Sequence, residues 1–152
     1  MDELFSNAKT IVEKAIASFG VNATEARIGG DAKQANYSLM RGSALTLVSL
    51  VHRDDDVALR VVCPVMTLPH EESRRPALFQ RLLELNAGAV VGSAAFALSG
   101  DRVVVVSERP AVGLDEQEAA HVIRRASAVA DTFDDRLVRE FGGTRASDAR
   151  TG

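Results

Sequence analysis

Three histidines and one cysteine are the side chains of this sequence best suited to bind a metal ion or act in catalysis. His52, His70 and His121 share no ligand spacing and fall at a strand end, in a loop and on a helix. A zinc-protease helix starting at His70 would need a second histidine where Arg74 stands. Cys63 lies in the apolar run VVCPV, which indicates a buried, reduced thiol. The sequence therefore predicts no metal site and no catalytic nucleophile.

Short runs of aspartate and glycine give equally little support for a bound ion or nucleotide. A calcium loop opened by the aspartates at 54–56 would have Leu59 and Val65 where its glycine and glutamate belong. Gly29 and Gly30 precede no helix with a phosphate-binding lysine, and no serine lies in a GxSxG turn. We therefore expect no enzymatic activity and no cofactor.

The composition is that of an ordinary globular domain. Of 152 residues, 26% are charged and 46% hydrophobic, and the net charge is −3. A slightly acidic chain is a poor match for the phosphates of nucleic acid. The start, Met-Asp-Glu, shows no basic export signal, and no apolar run is long enough to span a bilayer. We expect one domain in the cytoplasm, with neither nucleic acid nor membrane as a partner.

Apolar residues at helical spacing predict three helices. The first ends at Gly20, and the middle one ends near Asn86, where Asn-Ala-Gly suits a left-handed helix end. A capping box of Asp115 and Glu118 opens the last helix, which runs to Phe141. We expect the first and last helices to be buried together against a sheet through Ile11, Val12, Ile16, Ile123, Val129 and Phe133.

Between the helices the sequence predicts antiparallel strands. Residues 36–40, 43–52 and 57–66 form a meander, and 90–98 and 103–106 form a hairpin around the turn at 99–101. Strict alternation places Met66 on the same side as Val62. Residues 21–35 indicate a loop or a weak edge segment. The domain thus covers residues 1–141, and residues 142–152 lack apolar periodicity and should form a disordered tail.

Two elements carry more apolar surface than one core can cover. Both faces of the strand 43–52 hold leucine and valine, so one face should either be buried beneath the protein's own loops or meet something besides the protein's own helices. The middle helix is apolar around more than one stripe. We expect a homodimer or partner surface that includes whichever of four side chains faces away from the core: Val48, Leu50, Phe79 and Leu83.

The segment 82–118 runs from a helix end through two strands into a helix start with almost no spare residues. With LNAG, GSAAFALSGDRVVVV and LDEQEAAHVIRRASAVAD in this order, and ALRVVCPVMTLP before the middle helix, the sequence resembles the YbjN family and the related type III secretion chaperones. The likeness covers most of residues 39–141. It implies an α+β domain of order α-β-β-β-α-β-β-α whose antiparallel sheet packs on the first and last helices. It also implies a protein that is commonly a homodimer, binds other proteins and does no chemistry.

Three classes of function remain open. The mixed apolar strands and the resemblance favour a non-enzymatic protein-binding module of chaperone or adaptor type, with an unidentified protein or unfolded segment as its partner. The alternative is a regulatory or sensory domain that acts through dimerisation and partner switching. The third class is an enzyme or small-molecule carrier, which would need a pocket with convergent polar groups. The modest charge departs from the strongly acidic character typical of the secretion chaperones.

Overall fold

The computed structural model describes residues 2–149, in which the long helices pack on an antiparallel sheet. The sheet order is β1-β2-β3-β4-β6-β5, and β7 pairs with β4. The predicted α+β class is confirmed. Along the chain the elements are α1 (Asp2–Ser18), α2 (Ala23–Ala26), β1 (Arg27–Asp31), β2 (Gln34–Arg41), β3 (Ala44–Arg53), β4 (Asp56–Thr67), a 3-10 turn (Glu72–Arg74), α3 (Arg75–Ala87), β5 (Ala95–Ser99), β6 (Arg102–Pro110), α4 (Glu116–Phe141), β7 (Thr144–Arg145) and α5 (Ala146–Ala149).

The sheet has an inner face, which packs against α1, α3 and α4, and an outer face on the opposite side. Alternate residues of β2, β3, β4 and β6 are buried on the inner face in one cluster with the helices. Phe133 of α4 meets the ring of Phe96 edge-on, with 5.6 Å between the ring centroids. The predicted helix core is confirmed: Val12, Ile16, Ile123, Val129 and Phe133 are buried, and Ile11 is half-buried against them.

A β-bulge in β4 changes which side of the sheet one residue faces. The pairing of β4 with β6 shifts between Pro64 and Met66, so that Met66 lies opposite Val103. Both side chains of that pair are buried in the core. The prediction that Met66 shares a side with Val62 is wrong, because one extra residue reverses the alternation of a strand.

The capping box predicted at the start of α4 is present. The amide of Glu118 donates to Asp115 Oδ1 at 2.8 Å, and the amide of Asp115 donates to Glu118 Oε2 at 3.1 Å. The predicted left-handed end of α3 is wrong, because Gly88 is extended there with φ −84° and ψ 169°. Its amide still satisfies the helix end by donating to the carbonyls of Glu84 and Leu85, both at 3.2 Å.

Two segments differ from their sequence-based description at the edges of the sheet. Residues 21–35 form α2, capped by the Asn22 side chain, and then β1, which pairs with β2. Every residue of β1 is exposed, so it carries no apolar alternation that could reveal a strand. The predicted strand 90–98 begins only at Ala95, because residues 89–94 form turns closed by the amides of Gly92 and Ala94.

The segment after α4 also contains regular structure where the sequence predicts disorder. Gly142 and Gly143, both with positive φ, turn the chain back toward the sheet. The two-residue strand β7 then pairs with Met66 and Thr67, and the single turn α5 follows. Elements this short leave no periodicity in a sequence. Residues 150–152 lie outside the described residues.

Candidate functional site

The three histidines lie in separate parts of the structure. His52, at the end of β3, stacks on Phe5 of α1 with 5.0 Å between ring centroids, and its Nε2 is shielded without a hydrogen-bond partner among the described residues. His70 is exposed after β4, and His121 is exposed on α4. Within residues 2–149 no group of three or more His, Cys, Asp or Glu side chains could hold a metal ion.

Cys63 is buried on the inner face of β4. Its thiol lies 3.7 Å from the hydroxyl of Thr46. Burial raises the pKa of Cys63 to about 11, and the hydrogen bond with Thr46 offsets only part of that increase. A thiol that is protonated and inaccessible at neutral pH is a poor nucleophile.

An open groove of about 790 Å³ lies beside the start of α4. Two of its charged groups are already engaged with each other, because Arg109 and Glu118 form an ion pair at 3.0 Å and Glu118 also completes the capping box. The hydroxyl of Ser18 donates to the Ala15 carbonyl and not to His121, the histidine that also lines the groove. The groove therefore assembles no nucleophile with a neighbouring base. It is lined by Ser18, Ser93, Arg109, Glu116, Gln117, Glu118, Ala120, His121, Val122 and Arg124.

The four side chains predicted for a dimer or partner surface divide into two pairs. Val48 and Leu50 point into the inner face and have no exposed surface, so they are not available to a partner. Phe79 is half-buried against the core, whereas Leu83, one turn further along α3, is 69% exposed. The structure thus brings Phe79 and Leu83 together on one side of α3 and removes Val48 and Leu50 from the surface.

The available apolar surface of β3 lies on its other side, the outer face of the sheet. Register places Leu47 opposite Val62, and Val62 opposite Val106, in a row across three strands. The half-buried apolar side chains of the outer face are absent from the core cluster. They are Leu45, Leu47, Val51, Val62, Pro64 and Val106. The alternation within 43–52 places Leu45 and Leu47 on one face of the strand and Val48 and Leu50 on the other. It does not indicate which of these two faces the helices cover.

Charged residues border this apolar row. Glu108 of β6 accepts from Arg60 of β4 at 2.8 Å and also pairs with Arg53 of β3. These ion pairs use both carboxylate oxygens of Glu108. The outer face therefore combines an apolar centre with a polar margin, which is the usual composition of a protein interaction surface.

The two edges of the sheet differ in access. Asn86, near the end of α3, accepts from the Phe96 amide at 2.7 Å and donates to the Phe96 carbonyl at 3.0 Å, which engages the edge of β5 at that residue. On the opposite side, β1 pairs with β2 alone, and no other described strand follows it. An extended chain could therefore add to the sheet at β1 without displacing a side chain.

No helix in residues 2–149 is long and apolar enough to cross a membrane.

Comparison with known proteins gives one family and one fold. The family model TY-Chap1, described as "T3SS (YopN, CesT) and YbjN peptide-binding chaperone 1", matches residues 8–149. No curated protein matches the sequence.

Three solved structures share the fold of this chain at low sequence identity. The ExsC–ExsE complex gives a TM-score of 0.62 at 14% identity and covers 87% of this chain and 94% of that chain. The HopA1–SchA chaperone–effector complex gives 0.51 at 16% identity, with coverages of 91% and 94%. The heterodimeric ExoU–SpcU complex from the type III secretion system of Pseudomonas aeruginosa gives 0.54 at 14% identity, with coverages of 85% and 96%.

Proposed function

We propose, since this chain belongs to the TY-Chap1 family of type III secretion and YbjN peptide-binding chaperones, that it binds an extended segment of a partner protein and does no chemistry on it. The similar structures are complexes of two proteins, and one is named a chaperone–effector complex, which supports a protein partner. The buried unpaired thiol supports a reducing compartment, so we place this activity in the cytoplasm.

The observation that carries the proposal is the row of half-buried apolar side chains on the outer face of the sheet. The core cluster that the three long helices form with the inner face contains none of Leu47, Val62 and Val106. Apolar burial contributes roughly 25 cal/mol per Å², so an apolar contact of about 400 Å² contributes on the order of 10 kcal/mol before ordering costs. That is enough to hold a segment that must lose its freedom on binding.

The open edge of β1 supports the same mode of binding. Main-chain hydrogen bonds along an edge strand recognise an extended chain whatever its side chains are. Ile28, which is 60% exposed on this strand, adds an apolar contact at that edge. A partner segment can therefore combine backbone pairing at β1 with apolar contacts on the sheet.

The test is recovery of partners from the native host with the tagged full chain, followed by binding measurements on the recovered protein. Leu47→Asp should weaken binding at least about tenfold, because it places a charge in an apolar contact. His70→Ala and His121→Ala are matched controls on exposed side chains and should bind like the parent. If a folded histidine variant lost binding while Leu47→Asp retained it, the proposal would be wrong.

We also propose that the protein forms a symmetric homodimer through the exposed side of α3. Phe79 and Leu83 are four residues apart and lie on one side of the helix. Leu98 of β5, a strand in contact with α3, is 49% exposed and offers a further apolar side chain. Light scattering should then give twice the chain mass of 16.2 kDa.

Leu83→Asp should reduce that mass to one chain, because a charge would be buried in an apolar interface. Val112→Asp is the control, since Val112 is equally exposed, at 66%, but lies in the loop before α4. A single-chain mass for the parent at high protein concentration would contradict the dimer and leave the peptide-binding proposal intact.

A further inference from the structure

A small cleft with two arginines lies between the β2–β3 turn and α4. It has a volume of about 290 Å³ and is lined by Arg41, Gly42, Arg124, Ser127, Ala128 and Asp131. Arg41 ends β2, whereas Arg124 lies on α4, nine residues after the capping residue Asp115. The cleft is separate from the outer face, because the Arg41 side chain extends over Phe19 of α1.

The two guanidinium groups are held in place without an anionic partner. The Arg41 carbon Cζ lies 4.1 Å from the centre of the Phe19 ring, and that of Arg124 lies 5.9 Å from it. Neither side chain forms an ion pair with any described residue. Arg41 Nε is shielded from solvent and lacks a hydrogen-bond partner in the described part of the chain. Such a shielded donor is destabilising until an acceptor reaches it.

The single carboxylate that lines the cleft does not serve these arginines. Asp131 accepts from the Ser43 amide at 2.9 Å and from the Ser43 hydroxyl at 2.5 Å. These hydrogen bonds hold the pKa of Asp131 below its usual value, so the carboxyl is ionised at neutral pH. Its charge favours a ligand with one negative charge over a phosphate group, whose charge is about −1.5 to −2.

We propose that the cleft between Arg41 and Arg124 binds the carboxylate of one Asp or Glu side chain of the partner segment. The guanidinium fork matches a carboxylate, and stacking on Phe19 fixes its orientation in advance. The inference rests on the proposed function and adds to it a preference for an acidic residue in the bound segment.

The position of the cleft fits a segment bound at β1. Arg27 of β1 pairs with Tyr37 of β2, four residues before Arg41. At about 3.3 Å per residue, roughly 13 Å of strand separates that pair from the arginine. A partner strand outside β1 would also lie two strand spacings, about 10 Å, from β2, so about five residues of an extended chain leaving the Arg27 end of β1 would span the distance to Arg41.

The experiment is an NMR titration of the full chain, observing the Nε–Hε signals of its arginines. The probe is the blocked tripeptide N-acetyl-Gly-Glu-Gly-amide, and the matched neutral probe carries Gln in place of Glu. The Glu peptide should shift the Arg41 and Arg124 signals in a saturable way, whereas the Gln peptide should not. Arg124→Gln should weaken binding of the Glu peptide at least about tenfold, because one charge-assisted hydrogen bond is lost.

Arg136→Gln is the control variant, since its guanidinium also lies over an aromatic ring, 5.7 Å from the centre of Phe133, but outside the cleft. It should bind the Glu peptide like the parent. Arg41→Gln provides a second test should Arg124→Gln fail to fold, as judged by circular dichroism.

Absence of saturable shifts, equal shifts with the Gln peptide, or tighter binding of inorganic phosphate would overturn the assignment. Each of these results would leave the proposed function standing if Leu47→Asp still weakened capture of the partner. Failure to capture any partner would instead refute the proposed function, whatever the tripeptide titration showed.

Discussion

Replacing Phe133 with alanine tests whether α4 and β5 share one core. The Phe133 ring is 6% exposed and packs edge-on against Phe96, at an interplanar angle of 87°. Truncation to alanine removes that ring contact and leaves a cavity between the helix and the sheet. Truncations of buried phenylalanine cost about 3–5 kcal/mol. An edge-to-face pair accounts for about 0.5–1.5 kcal/mol of this, and the remainder is lost burial and cavity formation.

The assay is urea unfolding followed by circular dichroism, since the sequence has no tryptophan and only one tyrosine. With a slope of about 2 kcal/mol per molar urea, a loss of about 4 kcal/mol lowers the unfolding midpoint by about 2 M. Phe133→Leu should lose only about 1–2 kcal/mol, because it retains most of the burial but not the ring pair. Val112→Ala, on a 66% exposed side chain, should change stability by less than about 0.5 kcal/mol.

A Phe133→Ala midpoint within experimental error of the parent would refute this core assignment. A double-mutant cycle with Phe96→Leu isolates the ring pair, and we expect a coupling free energy of about 0.5–1.5 kcal/mol. A coupling near zero with both single variants destabilised would show that the rings are buried separately.

Three further predictions concern a helix cap, a sheet edge and a buried thiol. Asp115→Ala should lower the free energy of unfolding by about 1 kcal/mol and the melting temperature by about 2–4 °C. Asp115→Asn should retain most of the cap, because asparagine is also a good N-cap residue. Equal losses of stability in the two variants would contradict the capping role. Asn86→Ala removes both hydrogen bonds to Phe96 and should cost about 2 kcal/mol in urea unfolding, and an unchanged midpoint would show that water replaces them. Because burial raises the pKa of Cys63 from 9.0 to about 11, its neutral thiol should stabilise the fold fully below about pH 9 and lose that contribution, on the order of 2–3 kcal/mol, by about pH 11. The stability difference between the parent and Cys63→Ala, measured across this pH range, should shrink accordingly, and a constant difference would contradict the assignment.

The features that the sequence predicts correctly depend on residues close together in the chain. The capping box joins Asp115 to Glu118 over three residues, and the stripe of α4 repeats every three or four. Whether Val48 and Leu50 are buried depends instead on which face of β3 the helices cover. Both faces are apolar, so the pattern of one strand cannot decide it. The decision comes from α1 and α4, which are distant in sequence.

At the other positions where the structure differs from the prediction, the local sequence pattern either carries no signal or indicates the wrong side of the sheet. An extra residue near Pro64 moves Met66 into the core, and only pairing with β6 reveals it. Strand β1 is held by backbone bonds to β2 and buries no side chain, so its residues lack a hydrophobic signature. The cleft could not be predicted either, because it joins Arg41 and Arg124 through the ring of Phe19.

The Asn86 side chain on β5 has a consequence for how copies of this protein can associate. Its amide carries one acceptor and one donor in the arrangement of a peptide group, so it stands in for a single residue of a neighbouring strand. Pairing of β1 in one copy with β5 in the next would repeat from copy to copy and, unless the rotation between copies closed a ring, would produce a filament. Because Asn86 engages the edge groups of Phe96, joining of copies edge to edge is favoured at β1 against β1. Such a pair is two-fold symmetric, so this contact by itself closes at two chains.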